Sequence, residues 1–143
     1  MAKVTRSIVI DAPVEKVFEY HTDPTNNPEY WPSFQAVMDI EENPAGGKNF
    51  GWTYKMVGIK LEGTTKTVEY IPNERWVTKT EGGVESTFTY TYEPEGDGTK
   101  LSMEVDYSIP VPVVGKLAES VVIKTNEREA DTVLGNLKDI LEA

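Results

Sequence analysis

Residues 8–34 read IVIDAPVEKVFEYHTDPTNNPEYWPSF and change character three times. The β-branched run ending at Ile10 reads as a strand over residues 3–10, KVTRSIVI. Asp11 then offers a side-chain oxygen as helix N-cap and Pro13 suits a first turn. Val14, Val17 and Phe18 fall on one helical face at i, i+3 and i+4. That helix must stop before Pro24. A second short turn over 25–30 is ended by Trp31-Pro32, because a residue preceding proline is disfavoured in the helical region. One strand and two very short helices therefore precede anything large, and the rest of the chain explains why.

From Phe34 to Pro110 the pattern is β, punctuated by Gly46-Gly47, Gly58, Pro72-Asn73, Gly82-Gly83 and Glu95-Gly96-Asp97-Gly98. The spacing predicts six further strands over 35–43, 48–57, 59–71, 75–81, 84–94 and 99–109. Three of them alternate cleanly. Phe50, Trp52, Tyr54 and Met56 share one side, as do Phe88, Tyr90 and Tyr92, with Thr87, Thr89 and Thr91 opposite. Leu101, Met103, Val105, Tyr107 and Ile109 do the same, with Ser102, Glu104, Asp106 and Ser108 opposite. One face is apolar and aromatic and the other is hydroxylic and acidic, which implies an antiparallel sheet with a wet outer side.

The remainder predicts one long helix over 116–141. Ile123, Ala130, Val133, Leu134, Leu137, Ile140 and Leu141 form the stripe of a helix lying on a sheet. Near Val114, Leu117 and Val121 the stripe is rotated, and Gly115 allows a bend. A long sheet with one apolar face and a single helix to cover it give the two short helices their purpose: they close the end of the trough that one helix cannot reach. The class is α+β.

Composition narrows the function. At 143 residues the chain is expected to form one domain, 1–143, with one core. Lys and Arg number 14 against 24 Asp and Glu, and the formal charge of -10 repels phosphate backbones and anionic lipid heads, so nucleic acid is not an expected partner. The chain has no cysteine and a single histidine, which excludes disulfides, thiolate chemistry and His-rich metal sites. No cofactor or metal is expected, because no nucleophile motif, phosphate-cradling loop or ligand cluster is present. Charges interrupt the N-terminus and no long apolar run occurs, so stable membrane insertion is not expected and a cytoplasmic, monomeric protein is.

The order strand, two short helices, six strands and long C-terminal helix resembles the START-like, or SRPBCC, superfamily with its helix-grip fold, over the whole chain. The resemblance is carried by IVIDAPVEKVFEY with Trp31-Pro32 after it, by EYIPNERWV, by GDGTKLSMEV and by NLKDILEA. Together these point to the polyketide cyclase/dehydrase and lipid-transport branch. The resemblance implies a seven-stranded curved sheet around the long helix and a hydrophobic cavity between them. Across the superfamily such cavities hold sterols, lipids, plant hormones, polyketides or quinones, and many members only bind and carry.

The residues agree with that implication in part. Trp52, Tyr54, Met56, Phe88, Tyr90, Met103, Val105 and Tyr107 point inward by period-two counting, a set of aromatics with polar tips and adaptable methionines that suits a pocket and equally suits a solid core. On the helix, at about 100° per residue, Glu119 and Leu137 share a bearing and Asn126 lies about 20° from it. Asn126, and less securely Glu119, are thus the polar groups expected to face the pocket, and a buried polar group needs a partner. His21 is the default general base, weighed against a structural role at a helix end, where a cation suits the dipole. Arg75 reads as a solvated strand-end charge. The expectation is a carrier or sensor of a small hydrophobic molecule such as a lipid, polyketide, isoprenoid or quinone. The alternatives are a cyclase/dehydrase-type enzyme using Tyr or His21 as acid or base, and a module presenting a quinone or lipid to a larger complex.

Overall fold

A computed structural model describes residues 2–56, 58–82, 85–108 and 119–143. Strand β1 (Ala2–Ile10) is followed by α1 (Val14–His21), a 3-10 turn (Pro24–Asn26) and α2 (Asn27–Tyr30). Then come β2 (Phe34–Glu42), β3 (Lys48–Met56), β4 (Ile59–Ile71), β5 (Arg75–Gly82), β6 (Ser86–Glu95), β7 (Gly98–Tyr107) and the long helix α3 (Glu119–Glu142). The strands form one curved antiparallel sheet in the order β1-β7-β6-β5-β4-β3-β2. Each hairpin pairs its chain neighbour, and β1 closes onto β7 with Val4 opposite Val105 and Arg6 opposite Met103. The expected bend near Gly115 lies outside the described residues.

Period-two burial follows the alternation. Leu101, Met103, Val105 and Tyr107 are buried on β7, and Ser86, Tyr90 and Tyr92 on β6, while their neighbours keep part of their surface exposed. Strand β2 departs from this. As the sheet edge it is mostly exposed, and its pairing with β3 shifts register between Met38 and Glu41, where Asp39 adopts a positive φ of 53°. A bulge of this kind twists an edge away from further pairing.

Three expectations are corrected. Asp11 does not cap α1: Pro13 occupies the N-cap position, and the Asp11 amide instead donates to the Glu142 carboxylate at 2.8 Å, tying the end of β1 to the end of α3. The second short element is split, with Asp23 accepting from the Thr25 amide at 3.0 Å to cap the 3-10 turn ahead of α2. On α3 it is Val122, not Ile123, that is fully buried, and Val121 is exposed. The stripe therefore runs Val122, Ala130, Val133, Leu134, Leu137 and Leu141.

Polar contacts hold α3 in place. The Arg6 guanidinium reaches Asp131 at 2.9 Å and Glu127 at 3.5 Å, Lys138 donates to the Val9 carbonyl at 2.9 Å, and Lys16 donates to the Leu141 carbonyl at 3.0 Å. The last contact satisfies a carbonyl that a helix C-terminus leaves free. Asn136 donates to the Tyr30 carbonyl at 3.0 Å and joins α3 to α2. Beneath this frame Leu137 is fully buried. Leu137→Ala is expected to cost about 2–5 kcal/mol in urea unfolding, as a close-packed Leu truncation does; a loss of less than about 1 kcal/mol would show that the helix does not seat there.

Candidate functional site

The registers divide the trough into two halves. At one end Tyr92 faces Leu101, and Leu101 faces Ile8; at the other Phe88 faces Val105, Val105 faces Val4, and Ser86 faces Tyr107. Helix α1 drives Phe18 into the first end, with its ring 5.1 Å from Tyr70 and 4.9 Å from Tyr92, both edge to face. On α3, Val133, Leu137 and Leu141 are buried, and none of these residues borders the cavities described below. That half is solid.

His21 belongs to the solid half. It is 0% exposed, its Nδ1 lies 2.6 Å from the Tyr92 hydroxyl, and its ring stands perpendicular to Tyr90 at 4.4 Å and to Trp76 at 5.3 Å. Burial lowers its pKa to about 3, so it is neutral near pH 7. The structural role at the helix end thus holds for a different reason: the ring is packed among aromatics and no cation serves the dipole. It lines neither of the cavities described next, so the acid-base role weighed for it has no geometry here.

The other half is hollow. A cavity of about 70 Å³, counted as space open to water centres, lies between α3 and the sheet. Seven residues singled out from the sequence border it: Trp52 and Tyr54 of β3, Phe88 of β6, Met103, Val105 and Tyr107 of β7, and Asn126 of α3. Tyr90 instead borders a smaller neighbour of about 30 Å³, where it stacks on Trp76 at 5.3 Å. Trp31, Phe34, Thr80 and Phe88 border both spaces. Met56 ends β3 and Glu119 starts the described part of α3, but their side chains lie outside what the structure describes. Trp52 is seated against Gly63, where any Cβ would stand 2.5 Å from the indole and 2.3 Å from the Glu81 carbonyl oxygen, and its Nε1 donates to Thr65 at 2.9 Å.

The polar centre of the cavity wall is a residue the sequence reading did not single out. Glu129 accepts hydrogen bonds from the Trp31 indole and the Tyr54 hydroxyl on one oxygen, and from the Ser33 hydroxyl at 2.5 Å on the other. Burial, reinforced by the charge and hydrogen bond of Glu129, pushes the Tyr54 phenol well above the ordinary tyrosine range, so Tyr54 holds its proton. A signal was present. Glu129 lies seven residues after Val122, about 20° away around the helix, but a stripe through Ile123, about 100° from Val122, leaves it outside. Trp31 and Ser33 flank Pro32, where no periodicity reveals a facing.

Two polar groups in this wall lack partners among the described residues. The Tyr107 hydroxyl is buried without a hydrogen bond, in a residue 3% exposed, and the half-buried Asn126 amide makes no side-chain hydrogen bond. Thr80 and Ser86, also in the wall, bond to each other. Arg75 opens β5 with its side chain partly in solvent, as expected, and its Nε pairs with Glu69 at 3.0 Å. Among the described residues there is no group of three or more side chains that could hold a metal, and no helix long and apolar enough to cross a membrane.

A sheet gripping one long helix over a half-empty apolar trough defines a helix-grip domain. The family described as polyketide cyclase / dehydrase and lipid transport matches residues 1–142, and the chain belongs to it. No curated protein sequence matches closely enough to count as a relative. Among solved structures, the chain is similar to a Thermus thermophilus protein at 20% identity and a TM-score of 0.85, over 98% of this chain and 97% of that one. It is similar to the Zhui aromatase/cyclase of a Streptomyces species at 15% identity and a TM-score of 0.83, over 99% and 93%. A START superfamily protein of Mycobacterium smegmatis matches at 18% identity and a TM-score of 0.72, over 96% and 98%. At these identities the likeness is one of fold.

The buried neutral His21 has a consequence in acid. Its folded pKa lies below its unfolded value of about 6.5, so the unfolded chain binds the extra proton between those values and stability falls as pH drops below about 6.5. Between pH 7 and pH 5 the loss from this residue is expected to be about 2 kcal/mol. Urea unfolding of wild type and His21→Gln at the two pH values should show that component missing from the variant; equal pH dependence would mean the imidazole is not held neutral.

Proposed function

We propose that the protein binds a small, mostly apolar molecule in the hollow half of its trough and acts as its carrier or sensor. The supporting observation is the contrast between the two halves. The same sheet and helix bury Phe18, His21, Leu101 and Leu137 at one end, where they border neither cavity, yet keep at the other end a space that Met103, Trp52, Phe88 and Val105 border without filling. Interiors are ordinarily packed as densely as organic crystals, and an apolar cavity forfeits contacts that a ligand restores. Family membership supports the same class of ligand.

A second reading, a cyclase/dehydrase-type enzyme shaping a bound substrate, is favoured by one specific feature: the Tyr54 phenol and Glu129 carboxylate are hydrogen-bonded in the cavity wall. Such a pair holds a proton beside a bound molecule, although general acid-base chemistry needs that proton to reach a reacting atom.

The carrier reading is tested by binding and stability together. Nile red and a panel of sterols, flavonoids and quinones should include ligands of micromolar affinity or better, read through the fluorescence of Trp31 and Trp52 in the cavity wall. Met103→Ala should cost clearly less than the about 2–5 kcal/mol of a close-packed truncation, because part of its surround is already empty. Asn126→Leu should weaken polar-headed ligands by about 1 kcal/mol, the net worth of one hydrogen bond, and spare purely apolar ones. No binding across the panel, with core-sized destabilisation at Met103, would mean the trough is solid.

A further inference from the structure

We infer that the cavity selects uncharged molecules carrying a hydrogen-bond donor at the Glu129 end and an acceptor at the Tyr107 end, and excludes the same skeleton bearing a carboxylate; this rests on the ligand-binding reading above. The inference comes from an inventory of which polar atoms in the wall are already committed; the open Asn126 amide offers both donor and acceptor and so favours neither class, which leaves the choice to Glu129 and Tyr107.

At one end stands Glu129. A carboxylate has about four acceptor positions, and three are filled by Trp31, Tyr54 and Ser33, leaving about one for a ligand. Tyr54 spends its only proton on Glu129, so it cannot donate to a ligand. What enters beside this pair must bring a donor. A hydroxyl or phenol brings one proton and matches the single open position. An ammonium would bring three, of which two would be left unsatisfied after a costly desolvation. Among the described residues no Lys, Arg or His borders the cavity. The nearby Arg6 is already paired with Asp131 and Glu127 on the outer side of α3. A carboxylate ligand would find no counter-charge and would face Glu129, a like-charge contact in a partly dry site.

At the other end stands Tyr107. Its hydroxyl is buried and without a partner among the described residues, while Thr80 and Ser86 in the same wall are hydrogen-bonded to each other. An unpaired buried hydroxyl is costly, and a ligand acceptor such as a ketone oxygen would relieve it. The two ends belong to opposite arms of the sheet: along β7-β6-β5-β4-β3, Tyr107 is on the first strand and Tyr54 on the last. A molecule bridging them must span the hollow. Two fused aromatic rings give a compact, rigid skeleton that can carry one polar group at each end.

The test uses five naphthalenes titrated calorimetrically into the intact protein near neutral pH: naphthalene, naphthol, an acetylnaphthol with its two groups on opposite rings, naphthoate and naphthylmethylammonium. Naphthol should bind about tenfold tighter than naphthoate and tighter than the ammonium compound, and acetylnaphthol about fivefold tighter than naphthol. Glu129→Gln should bring naphthoate to within about threefold of naphthol. Tyr107→Phe should abolish the acetyl advantage, leave naphthol unchanged and not lower the thermal midpoint of the ligand-free protein, since the hydroxyl it removes has no partner among the described residues. Should Glu129→Gln fail to fold, the wild-type ranking and Tyr107→Phe still decide. Naphthoate binding wild type as tightly as naphthol, or acetylnaphthol gaining nothing over naphthol, overturns the inference while naphthalene binding keeps the cavity reading intact. Failure of all five, naphthalene included, overturns the ligand-binding reading itself and this inference with it.

Discussion

A single helix has to cover the apolar face of a seven-stranded sheet. Strands stand about 4.8 Å apart, so a flat sheet of seven would be about 29 Å across, whereas a helix with its side chains is about 10–12 Å wide. The mismatch is resolved by curvature. The sheet wraps α3, with β1 closed onto β7 on one arm and β2 at the free edge of the other. Arg6, Lys16 and Lys138 then anchor the helix to the N-terminal segment through Asp131, the Leu141 carbonyl and the Val9 carbonyl.

Curvature alone leaves a trough wider than the helix fills, and the two halves treat the surplus differently. At the α1 end Phe18 and His21 are inserted as extra core, so the aromatic cluster of Tyr30, Trp76, Tyr90 and Tyr92 surrounds an imidazole that burial keeps neutral near pH 7. At the far end no equivalent element is inserted among the described residues. The helix stripe there changes from Val133 and Leu137 to Ala130, Glu129 and Asn126, a small residue and two polar ones in place of large apolar ones. A hollow bordered by such residues gives up packing energy and gains the capacity to admit another molecule. Glu129 is tolerated at its margin because three donors converge on it; an unpaired carboxylate at that depth would be strongly destabilising.

Much of this was legible. The alternation through Phe50–Met56, Phe88–Tyr92 and Leu101–Tyr107 marked the inward face, because side chains on a strand alternate regardless of context. The same counting brought Trp52, Tyr54, Phe88, Met103, Val105, Tyr107 and Asn126 to one cavity. It could not separate them from Tyr90, one pleat along from Phe88 and in the wall of the smaller cavity, because period-two counting assigns a face and not a place along it. The helix was harder. Val122 and Ile123 are both apolar and differ in bearing by about 100°, so choosing between them needs the position of the sheet, and choosing wrongly hid Glu129. Asp11 and His21 were misread in their particulars for a related reason: local rules assign an Asp to a cap and a His to a helix dipole, and both were overruled by partners far along the chain, Glu142 and Tyr92.

The sequence by itself determined the order and type of the elements, the antiparallel pairing of neighbours and the apolar identity of the inner face. These depend on periodicity, on proline and glycine, and on connection length, all local properties of the chain. Only the tertiary structure decided which half of the trough is filled, which side of α3 faces it, and that Trp31, Ser33 and Tyr54 meet on Glu129 while the Tyr107 hydroxyl meets nothing among the described residues. Those outcomes depend on contacts between residues as many as 98 positions apart, as between Trp31 and Glu129. No local pattern encodes whether two such distant surfaces touch or leave a gap.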